Sequence, residues 1–222
     1  MEGEKSVLEL LESDFQTELI LGTEDFLSRN LKAMQNFSGE VIPVTENQLE
    51  QVGQFQSNGT ALAVGIMRAN TAFGVDENEL VIALDEVRDP GNLGTIIRIA
   101  DWYGIKKLVF SPQTAEFYNP KVLQASMGSF TRVSFFYESL ETVFERWKRP
   151  VYGAFLEGAN LHHLNKPKPG IILMGNESKG ISKELTPLVT QKITIPGFGQ
   201  ADSLNVAIAT AIICDNFKRL LG

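Results

Sequence analysis

The sequence predicts an α/β fold, a mainly parallel sheet with helices on both faces, preceded by a smaller α/β unit. Two features predict it. From Glu79 onward short apolar runs alternate with stretches of helical period, the pattern of strands joined by crossover helices. Before that, from Ser6 to about Asn70, a shorter alternation runs its own course and ends in a polar stretch without clear period, Arg68 to Asn78. The expected division is residues 1–70 as a small unit, 71–78 as a connection and 79–222 as the larger unit.

In the first unit a helix is expected from Ser6 to Glu12, a strand at Leu19–Leu21, and a helix from Glu24 to Met34 with Thr23 at its N-cap. Strand Val41–Val44, helix Glu46–Val52 and strand Ala61–Ile66 complete it. In the second, strand Leu80–Leu84 leads to a helix after Asn92, and strand Lys107–Phe110 to a helix over Pro120–Met127. Strand Thr131–Phe136, helix Ser139–Arg149 and strand Val151–Ala154 follow. Strand Gly170–Met174, a short helix, strand Lys192–Ile195 and a final helix from Leu204 close the chain.

With 43% hydrophobic residues the 222-residue chain has enough apolar side chains for a sizeable core. Its one cysteine, Cys214, lies in an apolar run and reads as a packed thiol in a reducing compartment. No export signal and no apolar stretch of membrane-spanning length is present, so the cytoplasm is the expected location. A net charge of −7 weighs against a protein that holds nucleic acid by a broad positive surface. Basic residues gathered locally, or positive patches pooled by two subunits, would meet that objection.

Ligands of open parallel sheets sit at the carboxyl ends of strands, which directs attention to three loops. The first, Leu84 to Arg98, ends in a helix whose outer turn presents Asn92 and Arg98 while Ile96, Ile97 and Ile99 pack inward. A guanidinium there can clamp a phosphate or ribose oxygen; equally, Asp85, Asp89 and Arg98 can form a surface ion pair. The second, Leu173 to Ile181, brackets Asn176-Glu177 with Gly175 and Gly180, which suits either a backbone lying close to a ligand or a plain turn. The third, Ile195 to Val206, is irregular at Pro196, Gly197 and Gly199 and places Ser203 as a cap for the last helix. Gly197-Phe198-Gly199 is the one hint of a nucleotide-binding oxidoreductase, and its lack of the third glycine and following acid of a dinucleotide fingerprint weighs against that reading.

In order, these strings resemble the three signature motifs of the SpoU or TrmH group within the SPOUT superfamily of RNA methyltransferases. They are Asp89-Pro90-Gly91-Asn92-Leu93-Gly94-Thr95-Ile96-Ile97-Arg98 followed by Gly104, then Gly175-Asn176-Glu177 with Gly180, then Ile195-Pro196 with Ser203-Leu204-Asn205-Val206. Tyr118-Asn119-Pro120-Lys121 and Ala125-Ser126-Met127-Gly128 also look familial, so the resemblance runs from about Leu80 to the C-terminus.

The resemblance implies a C-terminal trefoil knot, a rare exception to the rule against threading, and S-adenosylmethionine as methyl donor. Met174, Gly175, Ile195, Pro196 and Leu204 would line the donor pocket, largely through backbone. Asn92, Arg98, Glu177, Ser203 and Asn205 would form the catalytic set. It further implies a homodimer in which Arg98 of one subunit faces the donor of the other, transfer to a ribose 2′-hydroxyl, and no metal. Ribosomal RNA is the expected substrate, with transfer RNA, or RNA binding without catalysis, as alternatives. His162 and His163 read as surface residues.

Two departures stand out. Relatives with such a first unit usually carry a basic helix ahead of the segment that Glu2-Gly3 resembles, so the chain reads as starting inside that unit. Gln124 occupies a position where many relatives have arginine, removing one expected phosphate contact.

Overall fold

The computed structural model describes residues 1–54 and 59–221. Helix α1 (Glu4–Leu11) leads into strand β1 (Thr17–Gly22), helix α2 (Glu24–Arg29), strand β2 (Glu40–Pro43), helix α3 (Glu46–Val52) and strand β3 (Ala61–Gly65). These three strands form a small mixed sheet in the order β2-β1-β3, with β2 parallel and β3 antiparallel to β1. Thr23 caps α2 by accepting from the Phe26 amide, as its position predicts. The helix stops at Arg29 rather than Met34. Only Phe26 in it is buried, and beyond Asn30 the chain breaks into single turns for want of an apolar face to extend it.

Residues 81–221 alternate as expected: β4 (Val81–Leu84), α4 (Pro90–Trp102), β5 (Lys107–Phe110), α5 (Pro120–Ser126), β6 (Ser134–Tyr137) and α6 (Leu140–Trp147). Then come β7 (Val151–Asn160), β8 (Ile171–Met174), β9 (Gln191–Thr194) and α7 (Val206–Leu221). All pairings among the six strands are parallel, in the order β6-β5-β4-β8-β7-β9. Strands β4 and β8 are buried on both faces, which is why they read as unbroken apolar runs.

Each strand sends alternate residues to opposite sides. On one side Ile82, Leu84, Leu108, Ile172 and Met174 meet α4, α5 and α7 through Leu93, Ile96, Val122, Ile213 and Phe217. On the other Val81, Ala83, Val109 and Leu173 meet α6 through Leu140 and Val143. The first cluster runs on without a break into the N-terminal unit, taking in Val7, Leu10, Ile20, Phe26 and Ala63. Cys214 is fully buried within it, and desolvation pushes its thiol up to about 12, the packed thiol the sequence predicts.

Three expectations shift. Thr131 lies in a short 3-10 turn, Ser129–Arg132, so the strand begins at Ser134. Helix α5 ends at Ser126 because Met127 takes up a left-handed conformation. Strand β7 is far longer than four residues: Ala154 and Ala159 both register with Ile193, so residues 155–158 bulge out beside β9.

The segment after β3 is fastened down. The Arg68 amide donates to the Tyr118 hydroxyl (2.9 Å), and its guanidinium covers the Phe15 ring and pairs with Asp14. The Asn70 side chain grips the Tyr137 backbone from both sides, accepting from its N–H (2.7 Å) and donating to its carbonyl (3.1 Å), along the open flank of β6. Phe73 packs on Phe136 and Trp147, and the Lys107 ammonium reaches the Gly74 carbonyl.

Helix α4 crosses α5 at Gly94, where an added Cβ would overlap the Val122 carbonyl and the Ala125 side chain. Gly94→Ala therefore forces the two helices apart. We expect urea denaturation to show a loss of about 1–3 kcal/mol.

Candidate functional site

The site is assembled at the carboxyl ends of β4 and β8, which lie side by side in register with Leu84 opposite Met174. The Asp85 amide donates to the Met174 carbonyl, extending that pairing one residue into the loops. From β4 the chain turns through Glu86, held at positive φ, to Asp89, which caps α4 by accepting from the Asn92 amide at 2.8 Å. Pro90 occupies the first turn of α4, where its missing N–H costs nothing.

After β8 the chain closes a tight loop. Asn176 and Gly180 exchange backbone hydrogen bonds, and Gly180 adopts φ +69. A Cβ on Gly175 would run into the Gly180 carbonyl carbon and the Ile181 nitrogen. The motif's first glycine thus serves the loop's own closure. The Asn176 side chain donates to the Glu86 carbonyl (2.7 Å) and accepts from the Ser178 and Lys179 amides.

A short chain of side chains ties all three loops together. Glu177 accepts from the Asn92 side chain (3.1 Å) and from the Asp89 and Arg88 amides (3.3 and 3.4 Å). Asn205 donates to Asn92 Oδ1 at 2.8 Å. Its own Oδ1 accepts from the Ala207 and Ile208 amides (2.9 and 3.3 Å), so Asn205, and not Ser203, caps α7. Ser203 lies two residues too early to reach those amides.

Thus three of the expected residues, Asn92, Glu177 and Asn205, meet directly. Arg98 lies further along α4, exposed, and makes no ion pair among the described residues. The ion pair considered for Asp85, Asp89 and Arg98 does not form, because Asp89 is spent on the cap and Asp85 is buried. Met174 is buried at the end of β8, Gly175, Ile195 and Pro196 are half-buried, and Ser203 and Leu204 are exposed. His162 and His163 are exposed, as predicted. On α7, Ile213 and Phe217 face the internal core, while Ile208 remains exposed.

The stretch from Gly197 to Leu204 has exposed residues throughout and, among the described residues, makes no hydrogen bond. Beyond their own chain neighbours, no atom of the described residues lies within 4 Å of a Cβ placed on Gly197 or Gly199. Free amides and carbonyls beside the half-buried Ile195 and Pro196 suit a ligand held mainly by backbone contacts, with an apolar surface beneath it.

Sequence reasoning missed Asp85. It is 4% exposed, and its Oδ2 accepts from the Ser182 amide at 2.7 Å, drawing the end of the second loop onto β4. Burial, with the negative charges of Glu86 and Glu141, holds its carboxyl above the ordinary value of 3.8, against the lowering effect of the Ser182 hydrogen bonds. One signal was available, since Asp85 directly continues a run of four buried strand residues.

An open sheet of parallel strands whose loops converge beyond one edge of β4 and β8 defines a doubly wound α/β protein with a composite loop site. The model of the SpoU rRNA Methylase family matches residues 79–215, and the chain belongs to that family. A 23S rRNA (guanosine(2553)-2′-O)-methyltransferase of Bacillus subtilis, RlmP, is 35% identical over 137 residues, covering 60% of this chain and 55% of that relative. The chain thus spans about half the length of that relative. A TrmH-family protein from Porphyromonas gingivalis superposes at a TM-score of 0.84 with 36% identity, over 99% of this chain and 88% of that one. The AdoMet-bound rRNA methyltransferase from Sinorhizobium meliloti gives 0.86 and 29%, over 99% and 86%.

Two outcomes test this geometry. Glu177→Ala frees the Arg88 and Asp89 amides, so their hydrogen exchange accelerates roughly 2- to 10-fold while the melting temperature falls by no more than about 2–4 °C. Because the folded state holds the Asp85 proton more tightly than the unfolded chain, Asp85 stabilises most when protonated, and that contribution is lost as pH rises through its raised folded value. Asp85→Asn lacks this loss. Urea midpoints measured from about pH 4 to pH 7 should therefore move in favour of the variant as pH rises.

Proposed function

We propose that the chain is an S-adenosylmethionine-dependent methyltransferase acting on a ribose 2′-hydroxyl of ribosomal RNA. The observation that carries this reading is the hydrogen-bonded joining of Asn92, Glu177 and Asn205, one residue from each loop, next to a backbone stretch free to hold a ligand. Ribosomal RNA is favoured because the Sinorhizobium meliloti rRNA methyltransferase aligns over the whole length, N-terminal unit included.

Met174, Gly175, Ile195, Pro196 and Leu204 would hold the donor, whose sulfonium supplies an electrophilic methyl group. The protein's remaining task is to orient the hydroxyl in line and stabilise charge as its proton leaves. Arg98 does this as a fixed cation. A guanidinium offers only donors and no acceptor, so it binds the oxygen without taking its proton. Asn92 and Asn205 hold the start of α4 against the start of α7, and Glu177 fixes the loop before α4. Ser203 offers a hydroxyl at the same rim.

In this reading residues 1–70 bind the RNA, 71–78 connect, and 79–222 carry the methyl transfer and a C-terminal trefoil knot; Gly222 lies outside the described residues. The protein acts in the cytoplasm as a homodimer. Trp102 on α4 with Ile208 and Leu220 on α7, all exposed on two helices packed together, support that assembly. Among the described residues no helix is long and apolar enough to cross a membrane.

Calorimetric titration with S-adenosylmethionine is expected to give saturable binding that Leu204→Arg abolishes. Arg98→Ala should keep donor affinity and lose about 10²- to 10³-fold in transfer rate. Absence of donor binding by the wild-type protein would overturn the reading, and methylation found only on transfer RNA would replace the substrate.

A further inference from the structure

Phe198 is 96% exposed, and it alone among the described phenylalanines is exposed; the others are buried or packed against neighbours. Water around a benzyl ring is unfavourable relative to burial. The ring sits between Gly197 and Gly199 in the stretch that makes no hydrogen bonds among the described residues, so little holds it back from turning toward a partner.

Its place in the chain is as informative as its exposure. It follows Pro196 by two residues, just after Ile195 has packed on the core, and precedes Asn205, which is bonded to Asn92, so the far end of the loop is anchored in the site. To present a ribose hydroxyl in line, a nucleotide leaves its neighbours, and its base then needs a new surface for its face. A net charge of −7 leaves little general electrostatic attraction for RNA, which makes a contact independent of charge more valuable.

We propose that Phe198 is the stacking platform for the base of the target nucleotide, a specificity-neutral positioning contact for the methyl transfer. This rests on the methyltransferase reading above. Stacking needs a flat ring, so tryptophan should substitute and leucine should not.

The test compares wild type, Phe198→Ala, Phe198→Leu and Phe198→Trp, using ribosomal RNA from cells lacking the protein and tritiated S-adenosylmethionine. The expected result for Ala and Leu is a rise in KM for RNA of roughly 5- to 150-fold that persists as salt is raised, with donor Kd unchanged. Phe198→Trp should retain a wild-type KM and add tryptophan fluorescence that RNA quenches. An unchanged KM in Phe198→Ala, full activity in Phe198→Leu, or a loss confined to donor affinity or to oligomeric state overturns the assignment. Wild-type protein that binds no donor overturns the methyltransferase reading itself, and this proposal with it.

Discussion

The Asn92 side chain holds the site together because an amide can donate and accept at once. It gives a hydrogen bond to Glu177 and takes one from Asn205, so loops that leave β4, β8 and β9 share a single node. Neither an acid nor an amine could fill both roles without changing its protonation state. The node also couples the starts of two helices that pack against each other, α4 and α7. Whatever occupies the space beyond it meets a rim whose parts cannot drift independently.

Beneath that node lies the register of β4 with β8. Two strands buried on both faces, aligned residue for residue, deliver Asp85 and Gly175 to the same level. A slip of one residue would put Val81 and Ala83 on the wrong face and carry the loops out of reach. Asp85 adds a tie from below through the Ser182 amide, at the energetic cost of a carboxylate kept from water.

Much of this was legible in the sequence. The alternation after Glu79 gave the parallel sheet, since doubly buried strands leave uninterrupted apolar runs. The three loops were recognisable from glycine, asparagine and proline at strand ends, and Asn92, Glu177 and Asn205 were singled out before any geometry. What escaped was local and depended on distance. Asn205 outcompetes Ser203 for the cap because only its side chain reaches the first free amides of α7. Asp85 looked like a surface charge because a one-dimensional pattern does not tell which polar residue at a strand end is roofed over by a later loop. Helix α2 ended early because propensity without an apolar face does not sustain a helix.

Asn70 carries a different lesson. An outermost strand normally offers a ladder of free amides and carbonyls on which another chain can zip up. Here a side-chain amide imitates one rung of a neighbouring strand at Tyr137 of β6 and occupies it. The segment that joins the two parts of the chain therefore doubles as a selvedge: it hems the fabric of the sheet and discourages the unlimited growth that leads to fibrils.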